Sequence, residues 1–457
     1  MRVLCAVLGL AYGTVAVAQT TRPTDPVDFR KIIEQAKDQV YPALVFVKPI
    51  SEDFSRGERK RVQVFGSGVI ITPDGVVVSN HHVIDKAIQI NCVLWDKRQV
   101  TATLVGSDQE TDLAVLQLDL GDDASPLPRA RFADSDAAEA GQFVMALGAP
   151  FGFQRSISLG ILSNTERYIG FRTMYKYNTW FQTDASINPG NSGGPLVNTE
   201  GAIIGINTLG TGGEIGFSIP SNVVQDIVRR IRKDGKVIRS WTGLELQALH
   251  DFDSNTFIRE VNTGVLISGV AERSPAADAD VKSGDILLAV NDQPVNGKYA
   301  ELLPLIRWHL ADLPPDRPVT LTLQRAGQPV AVKLVPVRKG KVEGDDFDCR
   351  RWNMTVKEIN KHTNPSLYFH VKKGLFIQAV RYPGNANAAG LQAGDILLTV
   401  DRQKVTTAAE IKALYEKILA DTTREKKVLL ELLREGAKRW VVLDYSKDYD
   451  EDEEDES

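Results

Sequence analysis

At 457 residues the chain is too long for one ordinary core, and about three domains are expected. Its 43% hydrophobic and 25% charged residues exclude a disordered chain, a collagen-like fibre and a polytopic membrane protein. The net charge of −5 is more than accounted for by residues 447–457, which hold eight Asp/Glu and one Lys; the nearly neutral remainder offers no basic face for nucleic acid.

Arg2 is followed by an apolar run, Val3 to Ala18, that ends in the small-x-small pattern Ala16-Val17-Ala18. Residues 1–18 therefore read as a signal peptide that exports the rest, with a retained anchor as the alternative. Cleavage would remove Cys5 and leave Cys92 and Cys349, which read as two free buried thiols rather than a bridge. Residues 19–27 form a polar, proline-bearing linker. Ile32, Ile33, Ala36 and Val40 then have helical spacing. From Ala43 to Pro220 short β-branched runs alternate with turn signals such as Pro73-Asp74-Gly75, the pattern of an all-β sandwich or barrel. Val224, Ile227, Val228 and Ile231 make one helical face between a capping Ser221 and Gly235.

The remainder is duplicated. Gly264-Val265-Leu266-Ile267 returns as Gly374-Leu375-Phe376-Ile377, and Gly284 to Leu288 returns unchanged as Gly394 to Leu398, both shifted by 110 residues. Two copies of this size are two small domains, not a solenoid. Each carries strands and one later helix, near 299–311 and 407–420.

The most informative stretch is Asn188-Pro189-Gly190-Asn191-Ser192-Gly193-Gly194-Pro195. A serine hydroxyl is a weak nucleophile until a base takes its proton and donors hold the oxyanion. Glycines on both sides allow a tight turn that aims amides at one spot, so Gly190, Asn191 and Ser192 form the expected oxyanion loop, with the Gly190 and Ser192 amides as donors. Only His81 and His82 precede residue 250, directly after the apolar strand Val76–Val78. Adjacent strand residues face opposite ways, so one of the two enters the site and His81 reads as a surface histidine. Neighbouring histidines without further ligands make a poor metal site, and neither metal nor cofactor is expected. Asp112, just ahead of the apolar run 113–118, is a candidate to orient the imidazole; Asp85 is nearer in sequence but suits a turn cap. The order His82, Asp112, Ser192 is that of chymotrypsin.

These segments resemble the catalytic segments of the HtrA (Deg) family of serine proteases: Ser79-Asn80-His81-His82-Val83, Thr111-Asp112-Leu113-Ala114-Val115 and Gly190-Asn191-Ser192-Gly193-Gly194-Pro195. Gly148-Ala149-Pro150-Phe151-Gly152, Phe181 to Ala185 and Ile215 to Pro220 are similar as well. The resemblance implies a mostly β chain: a trypsin-like double β-barrel protease domain over 28–240, then two α+β PDZ domains over 241–338 and 345–446, then the acidic tail 447–457. It implies an ATP-independent endoprotease of the periplasm or cell envelope that cleaves unfolded or misfolded proteins, with His82 as base, Asp112 as its orienter and Ser192 as nucleophile. The family pattern departs at His81, Ala149 and Ser186. The uncharged Ser186 near the pocket floor favours small or medium aliphatic residues before the scissile bond. The short segment 51–60 argues against large cages resting on a long loop. Arg167 falls where the family places a sensor-loop arginine.

Gly264, Val265, Leu266 and Ile267, with Gly374, Leu375, Phe376 and Ile377, look like two carboxylate-binding loops that would capture peptides with hydrophobic C-termini. The acidic tail reads as solvated. The family implies a homotrimer or higher homo-oligomer. The competing function is a holdase chaperone or PDZ adaptor with little proteolysis; the complete His/Asp/Ser set argues for catalysis.

Overall fold

The computed structural model describes residues 28–121, 125–148, 156–169, 175–211, 214–252 and 263–449. The expected signal peptide, the linker, Ala149 and the acidic tail beyond Tyr449 lie outside them.

The chain enters through α1 (Phe29–Val40), where Asp28 caps the start by accepting from the Lys31 amide. The first barrel follows: β1 (Leu44–Asp53), β2 (Lys60–Gln63), β3 (Gly66–Ile70), β4 (Val76–Ser79), a short helical turn α2 (His81–Ile84), β5 (Ala87–Val93), β6 (Gln99–Asp108) and β7 (Leu113–Leu118). Its order is β2-β1-β3-β4-β7-β6-β5, and pairing of β1 with β5 closes six of these strands into a ring. Closure removes the free edges that an open sheet would expose. The second barrel contains β8 (Arg131–Phe132), β9 (Phe143–Gly148), β10 (Ser156–Arg167), β11 (Trp180–Thr183), β12 (Pro195–Val197), β13 (Ala202–Gly210) and β14 (Gly216–Pro220). Here β12 pairs with both β9 and β13, so six strands again close. One core runs through both barrels, from Val45, Val69 and Leu116 to Leu147, Ile206 and Ile219.

Helix α3 (Ser221–Asp234) seals the pair by burying Val224, Ile227, Val228 and Ile231, each worth about 1.5–3 kcal/mol when fully removed from water. Ser221 is its first residue rather than its cap; its hydroxyl instead donates to the Ala133 carbonyl at 2.6 Å. Gly235 ends the helix at φ 70°, a left-handed conformation that suits glycine.

Each repeat forms its own small core around a sheet and one main helix. The first sheet runs 244–247, 265–270, 286–290, 319–325, 328–334, with helix Leu303–Ala311. The second runs 346–349, 354–358, 375–380, 396–400, 427–434, 437–444, with helix Ala408–Ala420. Cys92 and Cys349 are free and buried, as expected, and burial pushes the Cys92 thiol up to about 12.

Candidate active site

The site lies between the two barrels. Strand β4 delivers Asn80, after which the chain turns into α2, so His81 and His82 sit on a helical turn rather than on a strand. His82 leads into the cleft with a side chain 39% exposed, whereas His81 is turned inward at 16%. His81 is therefore not a surface residue: its Nδ1 lies 3.1 Å from Ser107 Oγ, and its Nε2 lies 3.7 Å from Asp85.

Asp112 is fully buried and held at φ 62°. Its Oδ2 lies 2.8 Å from His82 Nδ1, and its Oδ1 accepts the His82 amide at 3.0 Å. Both carboxylate oxygens therefore address one residue, which fixes the ring and leaves Nε2 turned away from the acid. The strained aspartate backbone is locked from outside, since its carbonyl accepts from Asn80 Nδ2 at 2.9 Å and from the His81 amide at 3.2 Å. Asn178 Nδ2 donates to the neighbouring Thr111 carbonyl at 3.1 Å. Thr208, which the sequence reading missed, donates its hydroxyl to Asp112 Oδ2. A polar pair, Asn207-Thr208, ending the apolar run of β13 was the available signal.

Ser192 follows Gly190 (φ 105°) and precedes Gly193 (φ 84°). Its Oγ donates to the Thr208 carbonyl at 3.1 Å rather than to His82. The loop is tied to the first barrel, with the Ser67 amide on the Ser192 carbonyl at 2.8 Å and Ser67 Oγ on the Gly190 carbonyl at 2.7 Å. Of the three expected oxyanion residues, Asn191 has its amide committed to the Asn188 carbonyl at 2.9 Å. The Gly190 and Ser192 amides have no partner among the described residues. The Ser186 carbonyl, below the loop, accepts from Ser158 Oγ and Asn191 Nδ2.

The expected carboxylate loops are corrected by the topology. Val265 and Ile267 are fully buried, and the 265–270 strand is flanked on both sides, with Val265 opposite Leu287 and Leu266 opposite Gln247. Leu375 and Ile377 occupy the same interior place in the second repeat. Gly264 and Gly374 open these interior strands. A peptide adds to a sheet edge; the edges of the first repeat are Leu244–Gln247 and Gln328–Leu334, and the former lines an open groove with Leu310 and Ala311 of the helix. Just before this edge, the Thr242 and Gly243 amides are unpaired among the described residues. In the second repeat the matching strand Met354–Glu358 is already covered by the chain's own Asp346–Cys349, and Phe347 meets Tyr415 of the helix at 5.7 Å.

Arg167 hydrogen-bonds Gln182 inside its own barrel at 2.8 Å. The contact to the first repeat is made one residue later, by Tyr168, whose hydroxyl accepts from Arg307 Nη1 at 2.5 Å. Trp308 Nε1 adds a hydrogen bond to the Tyr177 carbonyl at 2.8 Å.

Family models identify a trypsin-like peptidase domain over residues 66–206 and PDZ domains over 266–325 and 343–423. A probable periplasmic serine endoprotease DegP-like of Marinomonas sp. (strain MWYL1) is 37% identical over 385 residues, covering 82% of this chain and 78% of that one. A protein of the same description from Pseudomonas putida (strain ATCC 700007 / DSM 6899 / JCM 31910 / BCRC 17059 / LMG 24140 / F1) is 30% identical, with 97% of both chains covered. Among solved structures, the HtrA-type protease AlgW with tripeptide superposes with a TM-score of 0.59 at 33% identity, covering 67% of this chain and 97% of that one. Relatives that match across the protease and both PDZ domains make this chain a member of the HtrA (Deg) family and a serine endopeptidase.

Proposed function

We propose that this endopeptidase cuts unfolded or misfolded proteins in the periplasm, with Ser192 as nucleophile, His82 as general base and Asp112 as the group that holds it. The observation that carries this reading is the two-point grip of Asp112 on His82, 2.8 Å to Nδ1 and 3.0 Å to the amide, which leaves Nε2 as the proton acceptor. Rotation of Ser192 about χ1 exchanges the Thr208 carbonyl for that nitrogen. As Oγ bonds to the scissile carbonyl carbon, its proton passes to His82, and the carbonyl oxygen becomes an anion between the Gly190 and Ser192 amides. His82 then returns the proton to the leaving amine as the C–N bond breaks. Water, deprotonated by the same imidazole, releases the acyl group and restores Ser192.

The periplasmic reading draws on the names of the relatives and on the apolar run before Gln19. The domain limits 28–240, 241–338 and 345–446 are part of this proposal; the family-model spans 66–206 and 266–325 fall inside the first two, and 343–423 begins two residues before the third. Peptide capture belongs to the first PDZ domain, at the edge Leu244–Gln247 with the Thr242 and Gly243 amides ahead of it for a terminal carboxylate. A homotrimer or larger homo-oligomer is the assembly expected from the family, and sedimentation velocity tests it. The binding-only alternative is not favoured, because a holdase has no use for an imidazole oriented in this way. Digestion of unfolded casein tests the mechanism: Ser192→Ala is expected to lose roughly 10⁴–10⁶ in rate with the fold unchanged by circular dichroism. Comparable cleavage by the variant would sink the assignment of the nucleophile.

A further inference from the structure

The groove of the first PDZ domain is not built by that domain alone. A cavity of about 610 Å³ surrounds it, and its walls include Lys176 and Tyr168 of the protease, Lys339 of the connector, and Lys361 and His362 of the second PDZ domain. Four of the lining side chains, Lys176, Arg307, Lys339 and Lys361, are cations, against one carboxylate, Glu245. Two of the cations are answered: Lys339 pairs with Glu110, and Arg307 is spent on the Tyr168 hydroxyl and the Lys176 carbonyl. Lys176 and Lys361 have no carboxylate partner among the described residues. Lys361 stands with Nζ 3.2 Å from the centre of the ring of Trp241, the residue before Thr242 and Gly243, and lines the same cavity as they do.

Burial and then Lys339 hold the Lys361 ammonium below the ordinary lysine range. Burial pushes His362 down to about 4, aided by Lys339, Lys361 and Lys176 in turn. Lys361, half-buried beside the paired Lys339 and the exposed Lys176, gains when an anion enters, because the anion offsets the repulsion among these cations and part of the cost of burying Lys361. The anion must also suit a sheet edge with apolar neighbours, Leu244 and Leu310. A peptide meets both demands, since its backbone extends the sheet, its last side chain takes the apolar space and its carboxylates take the cations.

Resting on the PDZ groove proposed above, we propose that this site selects acidic peptides, in which Asp or Glu side chains near a free C-terminus pair with Lys361 and Lys176. The second PDZ domain thereby acts as a wall of the first one's groove and sets its charge preference.

The test uses full-length protein carrying Ser192→Ala, so that nothing is cut. Three fluorescein-labelled ten-residue peptides share a C-terminal Val and differ in the three residues before it: Asp, Ala or Lys. Fluorescence anisotropy is expected to rank them Asp, Ala, Lys, with steps of about tenfold at low salt that shrink at 0.5 M salt. Lys361→Gln is expected to narrow the gap between the Asp and Ala peptides, weakening the Asp peptide several-fold more than the Ala peptide, a selective loss that misfolding would not give. Equal affinity of the Asp and Ala peptides overturns the acidic preference and leaves the groove standing. Binding of none of the three overturns the groove and the preference together.

Discussion

Among the described residues, Thr208 is the one that touches both ends of the proposed relay, through its hydroxyl on Asp112 and its carbonyl on the Ser192 hydroxyl. Thr208→Val keeps the β-branched volume and the carbonyl but removes a hydrogen bond to a buried carboxylate. Such a bond is worth about 1.5–3 kcal/mol, so kcat is expected to fall roughly 10–100-fold with KM unchanged, and Thr208→Ser should restore it. At the domain junction, His362 gives the fold a pH dependence. The folded value of His362, about 4, lies below the ordinary 6.5 of histidine. Between these values the unfolded chain takes up a proton that the folded chain refuses. The contribution of the neutral, buried ring is thus complete above pH 6.5 and is lost as pH falls towards 4. His362→Gln is expected to flatten the urea midpoint across that window; an unchanged slope would show that other groups govern it.

The turn Asp108–Thr111 shows how one element serves two masters. It leads directly into Asp112, and it is gripped by both stems of the first PDZ domain. Arg239 makes a two-pronged, nearly buried ion pair with Asp108 at 2.6 and 2.7 Å, and Lys339 reaches Glu110. The Lys339 amide also bonds the Arg239 carbonyl, so the two stems are tied together at the same point. Burial pushes the Asp108 carboxyl up, but the Arg239 charge and the hydrogen bonds from Arg239 and Thr111 outweigh it and hold it below the usual carboxylate range. Its contribution is therefore present above about pH 4 and disappears as the pH falls through the lowered folded value. Arg239→Met would leave Asp108 buried without its partner, at a cost of about 3–5 kcal/mol in a urea melt. Gly193→Ala tests the other catalytic element: a Cβ there would lie 2.2 Å from the Ser67 carbonyl at a φ of +84°. Loss of cleavage with both barrels still folded is the expected result.

Elements like these also mark where sequence reasoning succeeds and where it stops. The barrel strands, the α3 face and the glycine loop around Ser192 were legible because their signals are local: periodicity, turn residues and backbone freedom. His82 and Asp112 were nominated through their place beside apolar strands, and their side chains lie 2.8 Å apart. The carboxylate loop was not, because an interior strand such as Val265–Val270 and an edge strand share the same apolar alternation. What separates them is the neighbour on the far side, which belongs to topology. In the same way Arg167 was one position from the domain contact made by Tyr168, which follows the last residue of β10 and reaches Arg307 while Arg167 bonds Gln182 within the barrel.

On the scale of the whole molecule, the second PDZ domain is seated on the first barrel, where the short hairpin after β1 meets it. Lys86 pairs with Asp346 at 2.7 Å, the Arg59 amide donates to Asp348, and Thr355 Oγ1 donates to the Phe54 carbonyl at 2.7 Å. The hairpin can approach so closely because Gly57 has no side chain: a Cβ there would lie 2.1 Å from the Arg381 amide nitrogen, at a φ of +81°. Gly57→Ala is expected to leave every domain folded but to detach the second PDZ domain, read as a larger radius of gyration in small-angle scattering. An unchanged radius would mean that the ion pairs alone keep it seated. The strand Asp346–Cys349 gives this seat a further meaning. Its backbone completes the second PDZ sheet, while Asp346 and Asp348 on the same four residues reach the protease barrel. Plug and mooring are one piece of chain, so a force that unmoors this domain by dragging that strand also uncorks its groove, and undocking and acquiring a vacant receptor edge become a single event.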